Sequence, residues 1–427
     1  MSKRSAFRVV VVLLMLLVML PLPAARAQEA GRPSVDGIEL ERTSAGPVEL
    51  FHDPDVDAEV IETSRAAILA SLTDVPELTG LPAFTTPIRA FVLADDDRFR
   101  LALAEIASVR VELVADEIGG YTIERDGVML IFFAALNVTD PASAVLGFEH
   151  ELAHLAVREA TQRKALPQWF NEGYASWIAN RALARRFPDQ SGLQNKLDRL
   201  SVTSALHTRG MIPWADLVTR TRFSRAGVDG LTNLAYGQST LFIDFLNERH
   251  GTPSLARFLT AIGDGMGATQ AFGTAFGAFG PEVTAFDASL AALKSEMPVG
   301  LYVLQRATER QPAVLALSGG PALETAVVEL IVDGEVVRRR EIEVDGAGLL
   351  VASLPMSLLE GPGEPRVRVR APLLGTLELD PNRDERVLPA VSPPPALQPT
   401  LVPAPVPAPV QLPARSGFSP VRLQPAA

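Results

Sequence analysis

Residues 140–154 read Asp140-Pro141-Ala142-Ser143-Ala144-Val145-Leu146-Gly147-Phe148-Glu149-His150-Glu151-Leu152-Ala153-His154. An Asp followed by a Pro marks a helix start. The carboxylate accepts from exposed amides of the first turn, and the Pro presets the backbone where no amide is needed. The spacing predicts a helix from about Pro141 to Glu159. Val145, Phe148, Leu152 and Leu155 recur at helical spacing and give it an apolar stripe, whereas Gly147, His150, Glu151 and His154 fall on the other side. Two histidines four apart on one face can reach a single metal ion, and the intervening glutamate points toward a water held there.

The next stretch, Leu166-Pro167-Gln168-Trp169-Phe170-Asn171-Glu172-Gly173-Tyr174-Ala175-Ser176-Trp177, supplies a second helix that opens at Pro167 and runs to about Leu183. A short link places Glu172 close behind the first helix. A catalytic zinc ion takes three protein ligands and leaves a fourth position to water. His150, His154 and Glu172 are therefore the candidate ligands of one Zn2+ per chain. Glu151 is the candidate general base, because zinc lowers the pKa of its water toward ~7 and the carboxylate can accept the proton. The HExxHxxGxxH pattern is excluded, since Val157 and Ala160 occupy its Gly and His positions. Glu159 faces away from the His pair and is the weaker third ligand. Tyr236 and His207 are the candidate donors to a developing oxyanion.

These residues resemble the gluzincin metallopeptidases, particularly bacterial exported peptidase MA-like proteins related to the catalytic domain of zinc aminopeptidases. The resemblance covers roughly residues 45 to 295, and residues 147–178 carry most of it. It implies a zincin-like catalytic domain in which His150, His154 and Glu172 hold zinc and Glu151 is the base. Leu234-Ala235-Tyr236-Gly237-Gln238-Ser239 is similar to the family's Tyr-bearing helix, which implies that Tyr236 assists the oxyanion. In the related fold an edge strand above the zinc helix pairs with extended substrate, and Val128–Phe133 is expected in that place. Three departures stand out. Ser176 occupies the position where many gluzincins place a carboxylate that orients a zinc-bound His. The Gly-x-Met-Glu-Asn motif that anchors a substrate amino terminus is absent, which favours cleavage of internal bonds in peptides or proteins. Seventeen residues separate His154 from Glu172, one fewer than in those aminopeptidases.

The beginning of the chain sets the compartment. Lys3, Arg4 and Arg8 precede an apolar run from Val9 to Leu22, and Ala25-Arg26-Ala27 has the small-x-small pattern of a processing site. The run falls short of the ~20 residues needed to cross a bilayer. Residues 1–27 are thus expected to be a removed signal peptide, leaving a secreted or periplasmic protein without stable membrane insertion. The net charge is -11, and residues 1–27 hold four cations and no acids, so cleavage gives -11 - 4 = -15. An acidic surface argues against nucleic acid and anionic membranes as partners. Cysteine is absent, so any metal must be held by His and carboxylate.

The expected fold class is α+β. An N-terminal α/β lobe with a mixed sheet (28–140) leads into a helical zinc-binding lobe (141–297), a small β-sandwich (298–385) and a Pro-rich unpacked tail (386–427). Twelve of the 34 prolines lie in residues 389–427. Val48–Phe51 and Ile88–Leu93 read as strands, and Val60–Leu72 as a helix. Asp126-Gly127 predicts a hairpin joining Tyr121–Glu124 to Val128–Phe133, and Asp333-Gly334 another joining Thr325–Val332 to Glu335–Val344. Arg366–Arg370 reads as a further strand. Helices are expected over Asp198–Ala205 and over Asn233–Arg249, the latter closed by Gly251. The triple Ala-Phe-Gly in Ala271–Gly280 reads as glycines breaking a helix whose rings dock on the core. His52 and His250 read as surface or capping residues, and His207 as a loop residue. Trp169 and Trp177 read as packing residues, and the arginines at 338–340, 366, 368 and 370 as a solvated strand face. A rival reading is a binding or scaffold protein that keeps the fold without turnover. Glu151 tells against it, because zinc held only for structure needs no neighbouring base.

Overall fold

Asp-Gly turns organise the β structure. In the computed structural model, which describes residues 32–110, 119–307, 312–354, 356–359 and 363–389, Asp126 and Gly127 both have positive φ (51° and 77°), as do Asp333 and Gly334 (52° and 86°). Paired positive φ is the backbone twist that suits two-residue hairpins, and Asp-Gly tolerates it. The expected signal peptide and most of the Pro-rich tail lie outside the described residues.

Short strands β1 (Ser34–Val35) and β2 (Ile38–Glu39) form a hairpin. They are followed by β3 (Glu41–Ala45), β4 (Val48–His52), helix α1 (Ala58–Thr79), β5 (Ile88–Leu93), α2 (Asp96–Glu105), β6 (Gly120–Arg125) and β7 (Val128–Ala134). Five of these strands make one mixed sheet in the order β3-β4-β5-β7-β6. β4, β5 and β7 run parallel, and β3 and β6 flank them antiparallel. One face packs on α2 through Phe51, Phe91 and Phe132, and the other faces the helical lobe. That order corrects one expectation. Val128–Ala134 is an interior strand, bonded on both sides, and among the described strands Gly120–Arg125 is the sheet's edge on that side. Turn chemistry fixed the hairpin, but which arm lies inside is decided by the parallel pairing of β7 with β5, a contact distant in sequence.

The helical lobe comprises α3 (Pro141–Ala160), α4 (Gln168–Arg186), α5 (Pro188–Thr208), α6 (Arg220–Val228), α7 (Thr232–His250), α8 (Thr252–Gly263), α9 (Ala268–Phe276) and α10 (Phe279–Glu296). Asp140 caps α3, accepting from the amides of Ala142 and Ser143 at 3.0 Å each. Gly277, at φ 96°, breaks α9 from α10, and Phe272 and Phe276 are buried, as the repeated Ala-Phe-Gly implied. His52 is buried on β4 between Thr43 and the Asp53 carbonyl, so the surface reading of it was wrong. His250 ends α7 and faces Glu282 at 3.4 Å. None of the described helices is long and apolar enough to cross a membrane.

Strands β8 (Gly300–Gln305), β9 (Ala313–Ser318), β10 (Thr325–Val332), β11 (Glu335–Glu343), β12 (Leu350–Leu354), β13 (Pro365–Ala371), β14 (Gly375–Leu379) and β15 (Arg386–Val387) form two four-stranded antiparallel sheets, β11-β10-β13-β14 and β12-β9-β8-β15. Their inner faces share one apolar core. Arg338, Arg339 and Arg340 are exposed on edge strand β11 as expected. Arg368 and Arg370 instead neutralise Glu329, a buried acid on the neighbouring strand, at 3.6 and 3.0 Å.

Asp198, on α5, is buried behind α4 and accepts from Asn180 Nδ2 (3.2 Å) and Gln194 Nε2 (3.1 Å). Burial outweighs these donors and pushes its carboxyl up to about 7. Between pH of about 4 and 7 the unfolded chain has released this proton while the folded chain retains it, so stability falls as pH rises through that window and levels off above it. Asp198→Asn, isosteric and uncharged, should remove this contribution and gain on the parent by up to about 4 kcal/mol at pH 8 relative to pH 4. Denaturant unfolding of both proteins at the two pH values measures it. Parallel pH dependences would show that Asp198 is ionised inside the fold.

Candidate metal centre

α3 and α4 pack side by side, and their facing turns bring the expected ligands together. His150, His154 and Glu172 are all buried, and their ligand atoms lie within 4.8 Å of one another. The two Nε2 atoms are 2.9 Å apart, and Glu172 Oε2 is 3.5 Å from each. Among the described residues this is the one group of three or more His or carboxylate side chains clustered closely enough to hold an ion.

Each ligand is held from behind by an uncharged side chain. Asn171 Oδ1 lies 3.2 Å from His154 Nδ1, and Ser176 Oγ lies 3.4 Å from His150 Nδ1. Gln168 Nε2 donates to Glu172 Oε1 at 2.7 Å. These contacts turn both imidazole Nε2 atoms and the remaining carboxylate oxygen toward a common point. Glu172 Oε2 is buried with no hydrogen-bond donor of its own, which a cation would supply.

Electrostatics favour the same use. Burial holds His150 down to about 4, with Glu172 resisting and His154 assisting, so its imidazole is neutral at ordinary pH and keeps its lone pair. Burial alone would raise Glu172, but His154 and His150 outweigh it and bring it to about 2. A neutral imidazole and an ionised carboxylate are the protonation states in which these groups ligate. The set contains no thiolate and suits an ion served by nitrogen and oxygen, zinc among them.

Glu151, on the same helix, points at edge strand β6, where the Thr122 hydroxyl donates to its Oε2. Its other oxygen is buried and unbonded. Burial pushes this carboxyl well above the usual range, Thr122 pulls against that, and Glu172 adds to it. Tyr236 projects from α7 into the same space, beside Glu172 and Glu151. Burial and then those two carboxylates raise its phenol well above its ordinary value, so it stays protonated and able to donate. His207 does not join them. It lies in α5, not in a loop, and its Nε2 meets the Met297 carbonyl at 3.2 Å.

Sequence reading missed Thr122, Gln168, Asn171 and Arg220. Gln168 carried a signal, since a residue four before Glu172 on one helix must lie beside it. Thr122 and Arg220 come from distant elements and carried none. Arg220 opens α6, and its guanidinium lies near Tyr121, Glu172 and Tyr236. Burial lowers its pKa, and those three neighbours oppose the effect.

The whole is an α+β arrangement in which a mixed sheet meets the HExxH helix at its edge strand. No family model matches the chain, and no curated protein sequence does. Among solved structures, Saccharomyces cerevisiae leukotriene A4 hydrolase is 14% identical over 58% of this chain and 37% of its own, with a TM-score of 0.33. Legionella pneumophila aminopeptidase A is 15% identical over 77% and 37%, at 0.37. An aminopeptidase N family protein from Idiomarina loihiensis is 13% identical over 83% and 68%, at 0.41. This chain thus spans little more than a third of the length of the first two. Likeness at this level fixes neither activity nor substrate, which rest on the side chains just described.

Gly173, next to Glu172, marks where α4 and α7 touch: a Cβ there would stand 2.5 Å from the Ser239 carbonyl oxygen. The close approach brings Tyr236 to the ligands. Gly173→Ala must push the helices apart, and we expect a stability loss of about 1–3 kcal/mol together with weaker zinc binding. Thermal unfolding and zinc titration check this, and a variant that matches the parent in both would mean that the helix contact has slack.

Proposed function

We propose that the chain is an exported zinc metallopeptidase that cleaves internal bonds of peptides or proteins. The observation that carries this reading is the convergence of His150, His154 and Glu172 with a buried carboxylate, Glu151, one residue from the first ligand. A zinc ion bound by those three residues supplies Lewis acidity, polarising a carbonyl and acidifying water. Glu151 accepts the proton of the attacking water on its unbonded oxygen and later delivers it to the departing amine. Thr122 fixes the rotamer from which it does so. The Tyr236 hydroxyl donates to the carbonyl oxygen as negative charge grows there.

Substrate in this reading adds as a strand along the edge of β6, antiparallel to it, with main-chain hydrogen bonds setting its register. Support for internal cleavage comes from the acid on that strand. Glu124 is already engaged by Arg158 and Arg163, at 2.5 and 2.6 Å, and so is not offered to a substrate amino group. The leader-like sequence of residues 1–27 supports a place outside the cytoplasm.

Three variants test the roles separately. Purified protein should carry zinc near one per chain, and His154→Ala should lose it. Glu151→Gln should keep the metal and abolish hydrolysis of a peptide library read by mass spectrometry. Tyr236→Phe should lower kcat by about 10- to 1000-fold. Hydrolysis that survives Glu151→Gln would remove the general base from the scheme, and a native protein that binds no zinc would remove the centre itself.

A further inference from the structure

Arg220 is a half-buried cation that lies near Glu172. One of its terminal nitrogens is shut off from solvent and makes no hydrogen bond. No carboxylate of the described residues lies within ion-pair distance of it. A partly desolvated guanidinium with a donor left unbonded is costly and is seldom retained for stability alone. Neighbouring elements fix its position. The segment just before it is tied to the start of α4 by two backbone hydrogen bonds, Gln168 N to Val218 O (2.8 Å) and Trp169 N to Leu217 O (2.9 Å). One turn later Phe223 packs edge-on against the Tyr236 ring, with centroids 5.1 Å apart. Arg220 and Tyr236 therefore approach the ligand cluster from the same side, on two helices locked together.

We propose that Arg220 is an anion-receiving residue of this centre, whose guanidinium donates to the oxygen that becomes negative when a peptide carbonyl is attacked. The idea rests on the peptidase reading above. Charge counting is compatible with it: once Glu151 has taken up the proton of the attacking water, a divalent ion, Glu172 and Arg220 sum to +2 - 1 + 1 = +2, against the single negative charge of the oxyanion. A neutral peptide carbonyl gives a desolvated guanidinium little, whereas a full negative charge gives it a charge-assisted hydrogen bond. The interaction therefore strengthens between ground state and transition state, which lowers the barrier without tightening substrate. Arg220 keeps its proton throughout and forms no bond to substrate.

The test uses Arg220→Gln and Arg220→Lys in the full chain, with one peptide substrate in amidated and free-carboxylate forms and its phosphonate analogue, whose tetrahedral anion imitates the attacked carbonyl. We expect Arg220→Gln to hold zinc as the parent does, to lose about 100-fold in kcat with KM changed less than about threefold, and to bind the phosphonate about 100-fold more weakly by calorimetry. Arg220→Lys, keeping charge but not the fork, should recover part of both losses. Loss of zinc from both variants would make Arg220 a prop for Glu172 and overturn the proposal. So would a rise in KM confined to substrates with a free terminal carboxylate, or phosphonate binding unchanged in Arg220→Gln. If the zinc-loaded parent hydrolyses no peptide, the peptidase reading fails by itself, and the calorimetric comparison still decides whether Arg220 receives the anion.

Discussion

Two carboxylates and two imidazoles, all fully buried, meet where α3 lies against α4, and most features of the helical lobe follow from that concentration of polar groups. Burying ionisable side chains costs several kcal/mol each unless partners replace the lost water. The protein supplies part of that replacement through Gln168, Asn171, Ser176 and Thr122. It leaves one oxygen of Glu172 and one of Glu151 without a partner. Those two atoms differ in use. The first faces both imidazole nitrogens and suits a cation; the second faces away from Thr122 and suits a proton in transit. An apolar pair of helices would be more stable here, so the arrangement answers to chemistry and not to packing.

The choice of uncharged orienting groups has a chemical consequence. A carboxylate behind a ligating imidazole strengthens it as a donor and adds negative charge to the centre. Ser176 and Asn171 orient His150 and His154 without that charge. An ion held here is therefore less neutralised by the protein, a stronger Lewis acid and less firmly bound than one with acidic support.

Much of the fold was legible because its decisive signals are local. Asp140-Pro141 set the start of α3, the four-residue spacing of the histidines set their common face, and Asp126-Gly127 and Asp333-Gly334 set two hairpins through their positive φ. The ligand set was legible for the same reason, since α3, a short link and α4 are contiguous in sequence. What the sequence hid is tertiary. Strand alternation cannot say whether β6 or β7 lies outermost, because that depends on β5, some thirty residues earlier. His52 looked like a surface residue until β3 and the Asp53 carbonyl enclosed it. The role of Thr122 exists only because the hairpin lays it over Glu151, and Arg220 acquires its neighbours only when α6 folds across α4.

The β-sandwich bears on the site through the ends of α5 and the start of α7. Gly346 N donates to Gly230 O at 2.8 Å, in the turn that joins α6 to α7, and Asn233 on the first turn of α7 reaches Asp345 at 3.4 Å. On α5, Ser204 accepts from Gly319 N at 2.8 Å and Thr208 donates to Ala347 O at 3.0 Å. Leu197 and Leu200 of α5 pack under Tyr302, Leu304, Val314 and Ala316 of the sandwich. Hydrogen bonds of this kind contribute about 1 kcal/mol each and the apolar contact more, so the junction is a firm one. It grips the α6–α7 turn, and that turn sets the spacing between Arg220 and Tyr236. Gly237, beside Tyr236, already touches the Asp198 carbonyl of α5, where a Cβ would stand 3.0 Å away. α7 is therefore fixed from three directions, by α4 at Gly173, by α5 at Gly237 and by the sandwich at Asn233. A side chain that must meet charge only as it forms needs that rigidity, because a donor free to reorient would expend the same energy on its own reorganisation.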